Sequence, residues 1–334
     1  MPQPLSLEPG YRALDPFTPW AQRPRSLHRQ LSARPAHNLG RRWWAVARAV
    51  LAPDDRAAQL TEAITRVAAP VASGRRIVVV GAHGGAGATT LALSLASLAA
   101  TYRKDPVALV DDSDAHGGLL TRLTAAPEMS VGTADRHLAG GSRRREASTW
   151  RRPGLHVFSP ATPHGGMRAL DEIQRRAAVT FVDTDRAHST TGNPSAAGEY
   201  SRSNATVIAG ENTVRGAAAV RACLTGLRHV GIGGDSTLVV FMERVAGSGT
   251  TRNSLAREVP SASAGDVFFV PYDRHLAGAA QIRLELLAPS TSIALTCVAS
   301  VVIEASAVMS NSNSGENGAD NTRGGHDTTG VKPR

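Results

Sequence analysis

Between residues 77 and 270 the apolar positions form short solid runs, separated by longer stretches with helical spacing. The runs are Ile77–Gly81, Val107–Asp111, Leu155–Phe158, Val179–Asp183, Ala205–Ala209, Leu238–Met242 and Val267–Val270. Several are rich in valine with no polar alternation, as expected for parallel strands covered on both faces. Helical patterns lie between them at Thr90–Tyr102, Met167–Ala178 and Val214–Val230, with a last one from Ser290 to Val308. Strands alternating with helices predict a doubly wound α/β fold: a mostly parallel sheet with helices on both faces.

The flanks read differently. Residues 1–40 carry many Pro, Arg, Ser and Gln with no apolar period, which predicts a disordered basic arm. Residues 41–75 predict a helical extension. In "RRWWAVARAVL" Trp43, Trp44, Ala47 and Val50 share one face, and that face suits a partner, the domain or a membrane surface. "DDRAAQLTEAITRVAAPV" starts with acids and stops at Pro70, as a helix does. The domain itself is expected over 76–308, and 309–334 is polar and glycine-rich, predicting a disordered tail. "GGSRRREASTWRRPG", Gly140 to Gly154, reads as a solvated basic loop.

Composition narrows the classes. No window holds eighteen consecutive apolar residues, and the N-terminus lacks the basic-then-apolar order of a signal peptide. Cys223 and Cys297 form no CxxC motif and read as small buried hydrophobes in a reducing cytoplasm. The net charge is +9, and residues 1–76 hold twelve arginines against five acids. That arm suits non-specific DNA or an anionic membrane surface, or it is simply solvated; peripheral membrane attachment therefore stays open. His116, His188 and His275 show no metal-ligand spacing and read as surface residues. Of 37 basic residues only Lys104 and Lys332 are lysines.

The chemistry concentrates in "VVVGAHGGAGATT", Val78 to Thr90. An apolar strand runs into a glycine loop and then a helix. Gly84, Gly85 and Gly87 permit positive φ, so successive N–H groups can turn inward on a phosphate. The helix start near Thr89 adds partial positive charge, and its hydroxyl suits a magnesium ion. A GxGxxG dinucleotide motif in the proper phase is absent.

"HGGAGATT" resembles the deviant phosphate loop, KGGxGKTT, of the MinD/ParA family of P-loop ATPases. "VALVDDSDAHGGL" resembles that family's second motif, and "VTFVDTD" its third. Phe268 to Ser300 resembles the closing segment of MinD-like proteins associated with type VII secretion. The resemblance spans about residues 45–308. It implies a P-loop NTPase fold in which His83, Gly84, Gly85, Ala86, Gly87, Ala88, Thr89 and Thr90 wrap the phosphates of ATP or ADP. Thr89 would bind Mg2+, Asp183 would hold the metal through its outer ligand sphere, and Asp112 and Asp114 would orient water. Pro271 and Asp273 would lie near the base. The family also implies a homodimer with two nucleotides sandwiched between subunits, and a secretion or cell-division partner.

Both lysines of the pattern are replaced, by His83 and Ala88. Arg215 is a candidate substitute, and Glu243 stands where the family reads the base with Asn. Loss of one transition-state donor costs about 10²–10³ in rate, so two losses leave weak or vestigial catalysis. The expectation is a nucleotide-binding regulator acting through partners. The alternatives are an active partitioning or division-positioning ATPase completed by an arginine, and a DNA- or membrane-surface binder working through the arm.

Overall fold

The computed structural model describes residues 55–71, 74–112, 119, 122, 148–152, 154–159, 166–184, 202–229, 231–247, 252–259, 266–278 and 281–316. The arm, the Trp43–Trp44 helix, Asp114, His116, His188 and residues 317–334 lie outside them.

The elements in chain order are α1 (Asp55–Ala68), β1 (Arg75–Gly81), α2 (Ala88–Tyr102), β2 (Val107–Asp111), β3 (Ser148–Arg152) and β4 (Leu155–Ser159). Then come α3 (Gly166–Arg176), β5 (Val179–Thr184), β6 (Ala205–Glu211), α4 (Val214–His229), β7 (Thr237–Met242) and α5 (Arg252–Glu258). The chain continues with β8 (Asp266–Val270), the single turn α6 (Arg274–Ala277) and α7 (Pro289–Glu316). The strand order is β3-β4-β2-β5-β1-β6-β7-β8. Seven strands pair in parallel, and β3 closes one edge antiparallel to β4.

All seven apolar runs became strands; the central ones are covered on both faces, and the edge strand β8 is half-buried. In β1, Ile77 and Val79 join one core with Leu91, Leu95 and Leu98 of α2 and Leu295, Val298 and Val302 of α7. Val78 and Val80 join the opposite core with Leu170 of α3, Val220 and Leu224 of α4 and Leu255 of α5. Full burial of each such side chain stabilises the fold by about 1.5–3 kcal/mol, and the two cores share β1 at their centre.

Three expectations need correction. Part of the basic loop at 140–154 is β3, paired from Ser148↔Ser159 to Arg152↔Leu155. His275 is buried at 2% exposure, not a surface residue, and its Nε2 accepts from the Arg283 N–H at 2.9 Å. The last helix also runs to Glu316, beyond the boundary expected at 308. Its stretch Pro289–Ala307 is long and apolar enough to cross a membrane, a test that a buried core helix also passes. Here its apolar face is instead packed along the sheet and α2.

The extension helix α1 packs on α7 and α2, burying Ala63 and Val67. Arg103, buried just past the end of α2, clasps it. Its Nη1 donates to the carbonyls of Val67 at 2.7 Å and Ala69 at 2.8 Å, and its Nη2 pairs with Asp105 at 2.7 Å. These carbonyls belong to a helix end that has run out of intrahelical donors, so the guanidinium satisfies them directly.

Candidate functional site

The site lies at the carboxyl ends of the central strands, where ligands of open α/β sheets bind. β1 ends at Gly81, and Ala82 N–H is still held by the Ala209 carbonyl at 2.8 Å beside the end of β6. The chain then turns, with Ala86 N–H bonded to the His83 carbonyl at 3.1 Å. Gly85 has φ +78° and Gly87 φ +97°, both in the left-handed region that side chains avoid. Gly87 is the N-cap of α2, and Leu91 N–H bonds back to its carbonyl at 2.9 Å. No side chain caps this helix, and no acid sits in its first turn. The first N–H groups of α2, at Ala88, Thr89 and Thr90, are therefore without a side-chain cap, an arrangement that suits an anion with the helix dipole behind it.

A cavity of about 480 Å³ opens over this loop. Its floor runs from His83 to Thr90, one wall is Asp183 and Thr184 from the end of β5, and the other is Met242, Glu243 and Arg244 after β7. Pro271 and Asp273, after β8, extend that second wall, and Arg122 also lines the cavity. The volume is within the range of small-ligand pockets.

His83 turns back on its own loop, with Nδ1 3.0 Å from the Gly84 carbonyl oxygen. Ala88 lines the cavity and carries no charge to it. Thr89 and Asp183, both oxygen donors, share the cavity and so suit a hard divalent cation such as magnesium. Asp112 is brought close but not in. Its N–H donates to the Asp183 carbonyl at 2.8 Å, its side chain is buried, and it is not part of the cavity wall.

The second wall, after β7 and β8, is tied by two carboxylates. Glu243 accepts from Gly247 N–H at 3.0 Å through Oε1 and from Tyr272 N–H at 3.2 Å through Oε2. Asp273 is the N-cap of α6. Its Oδ1 accepts from His275 N–H at 2.8 Å and Leu276 N–H at 3.3 Å, and its Oδ2 accepts from Ala288 N–H at 2.8 Å. Asp273 reaches the cavity as expected, with a carboxylate already used to hold the wall.

The cations differ from the sequence expectation. Arg215 is exposed near the start of α4 and does not line the cavity. Arg122 and Arg244 do. A Cβ on Gly85 would lie 3.3 Å from Arg244 Nη1, so that guanidinium hangs over the loop. Arg122 Nη1 is buried with no hydrogen-bond partner, and its carbonyl accepts from Ile282 N–H at 3.0 Å. Burial lowers the Arg122 pKa, the nearby Asp183 charge raises it, and the Arg244 charge lowers it again. Neither was singled out in the sequence: the one signal for Arg244 was its place beside Glu243, and Arg122 carried none. Among the described residues no group of three or more His, Cys, Asp or Glu side chains could hold a metal.

Solved structures share this architecture. A ParA family ATPase from Chlorobium tepidum is 15% identical with a TM-score of 0.51, the match covering 68% of this chain and 99% of that one. A chain of the MinC:MinD cell division protein complex from Aquifex aeolicus is also 15% identical with a TM-score of 0.51, over 67% of this chain and 94% of that one. The fold is that of the ParA and MinD ATPases. No protein-family model matches the sequence, and no curated protein matches it. In this ParA/MinD-type sheet the glycine loop leaves β1 at the centre, flanked by β5 and β6.

Proposed function

We propose that this chain is a MinD/ParA-like nucleotide-binding regulator that holds ATP or ADP and turns ATP over slowly. The observation that carries this reading is the cradle itself. The uncapped start of α2 and the left-handed Gly85 and Gly87 keep the shape of a phosphate loop, while Ala88 leaves it without its lysine. Backbone N–H groups from Gly87 to Thr90 would bind the phosphates, and Thr89 and Asp183 would hold magnesium. Magnesium, when bound, screens the charge between the phosphates. The residues of this chain supply position and partial charge, which favour binding. The fixed cation that would stabilise charge developing at the terminal phosphate is missing at position 88, and one such donor is worth about 10²–10³ in rate.

A protein partner at the cytoplasmic side of a type VII secretion apparatus fits the resemblance of Phe268–Ser300, and a nucleotide-sandwiched homodimer fits the fold. The solved relative above stands in complex with a different protein, MinC, which supports partner binding in general.

Isothermal titration of the full chain with Mg-ATP and Mg-ADP, followed by a phosphate-release assay, tests the central reading. Saturable binding with slow release of phosphate is expected. Absence of binding, or turnover at the pace of an ordinary ATPase of this fold, would overturn it. For the process, deletion of the gene in its host is expected to lower type VII export; unchanged export would remove that assignment.

A further inference from the structure

We propose that Arg122 and Arg244 are the phosphate-gripping cations of this cavity, taking the place of the lysines missing at His83 and Ala88. The proposal rests on the nucleotide-binding reading and adds the groups that recognise the polyphosphate. The two arginines come from distant parts of the chain and converge on one cavity over one glycine loop.

Arg244 approaches from the β7 side. Its Nη1 stands 3.3 Å from the position a Cβ on Gly85 would take, which places the guanidinium directly over the loop. Arg122 shares the cavity with Asp183, and its backbone is fixed to the segment that leads into α7. Its buried Nη1 makes no hydrogen bond within the protein, although such a group is normally paired. A polyphosphate oxygen would satisfy it. The two guanidinium groups also feel each other's charge, and an anion between them relieves that repulsion.

The other charges on the wall do not cancel this arrangement. Glu243 and Asp273 come from the ends of β7 and β8, and their carboxylates already accept two and three backbone N–H groups. Asp183 lies on the β5 side, where a divalent cation would sit between it and the phosphates. Arginine differs from lysine in offering a planar fork that meets two phosphate oxygens at once. That geometry suits ground-state grip on a di- or triphosphate. The ligand class is a nucleoside di- or triphosphate, recognised chiefly by its phosphate chain.

The test uses the full-length protein and titrates Mg-ATP, AMP and inorganic tripolyphosphate into wild type, Arg122→Gln, Arg244→Gln and the double variant. Arg244 is exposed, so Arg244→Gln should fold as wild type does. Each single variant is expected to weaken ATP and tripolyphosphate binding about 10- to 100-fold, with AMP affected far less. Arg122→Lys and Arg244→Lys should recover part of the loss, and Arg215→Gln, outside the cavity, should bind as wild type does. Wild-type binding of ATP with an unchanged double variant overturns this inference and leaves the nucleotide reading standing. The inference also fails if Arg244→Gln weakens AMP as much as ATP. Wild type that binds neither ATP nor tripolyphosphate overturns both.

Discussion

The two sides of the cavity are built by opposite means. On the glycine-loop side the backbone does the shaping: Gly85 and Gly87 adopt φ values of +78° and +97°, and an uncapped helix follows. On the far side two carboxylates do the holding, Glu243 with two backbone N–H groups and Asp273 with three. A site made from main-chain geometry can lose a lysine and keep its form, because the lysine never set the form. A wall made from carboxylates has no such tolerance. This difference explains how the loop keeps a phosphate-loop shape with His83 and Ala88 in place of lysines.

The largest expected effect is on the carboxylate wall. Asp273→Ala strands three N–H groups, two of them buried with the helix turn they start, and should lower unfolding stability by about 3–5 kcal/mol in urea titrations. A loss below about 1 kcal/mol would show that the wall is held by something else. Next comes repair of the loop. Ala88→Lys returns a cation to an intact cradle and should raise ATP turnover about 10²-fold, equivalent to about 3 kcal/mol of barrier. No gain would mean that the loop's shape, not merely its charge, has moved away from catalysis.

Gly87→Val tests the backbone side from the opposite direction. A β-branched residue at φ +97° is strained, and its Cβ would stand 3.5 Å from Met242 Cγ. We expect a stability loss of about 1–3 kcal/mol, read by thermal unfolding, together with loss of nucleotide binding. Binding retained at wild-type strength would contradict the cradle. Glu243→Gln keeps one acceptor and loses the other, so a smaller change of about 1 kcal/mol is expected, with base-side contacts loosened more than phosphate contacts.

Cys223 on α4 serves as a reference outside both walls. Burial pushes its thiol from 9.0 up to about 12. The folded protein therefore holds this proton more tightly than the unfolded chain. The associated stability is fully present below pH 9 and is lost as pH rises toward 12. Cys223→Ala should flatten the fall of the urea midpoint above pH 9; an unchanged slope would show that the thiol is not shielded from water in solution.

Much of the fold was legible because parallel strands buried on both faces must be apolar throughout, and seven such runs are visible. β3 was not, because "STWRR" pairs along one edge only, where charged residues are tolerated and guard against unwanted pairing. The glycine loop was legible for a local reason: its φ requirements are written in adjacent residues. The cavity walls were legible only in part: Asp183, Glu243 and Asp273 were named from their motif positions, whereas Arg122 and Arg244 reach the loop only through strand order. Sequence distance pointed to Arg215, just beyond β6, whereas the sheet brings the end of β7 over Gly85. His275 was missed for a related reason: its burial depends on the fold of residues 281–288 around α6.

The clasp that Arg103 makes on α1 bears on how this cavity can work. Helix α2 is seated at one end by the glycine turn and at the other by a guanidinium locked onto the Val67 and Ala69 carbonyls. Such a rod cannot slide lengthwise without breaking bonds at its rear bearing. Its front turn is thus coupled through α2 to the extension helix, so a change in how α1 is seated would be felt at the glycine loop.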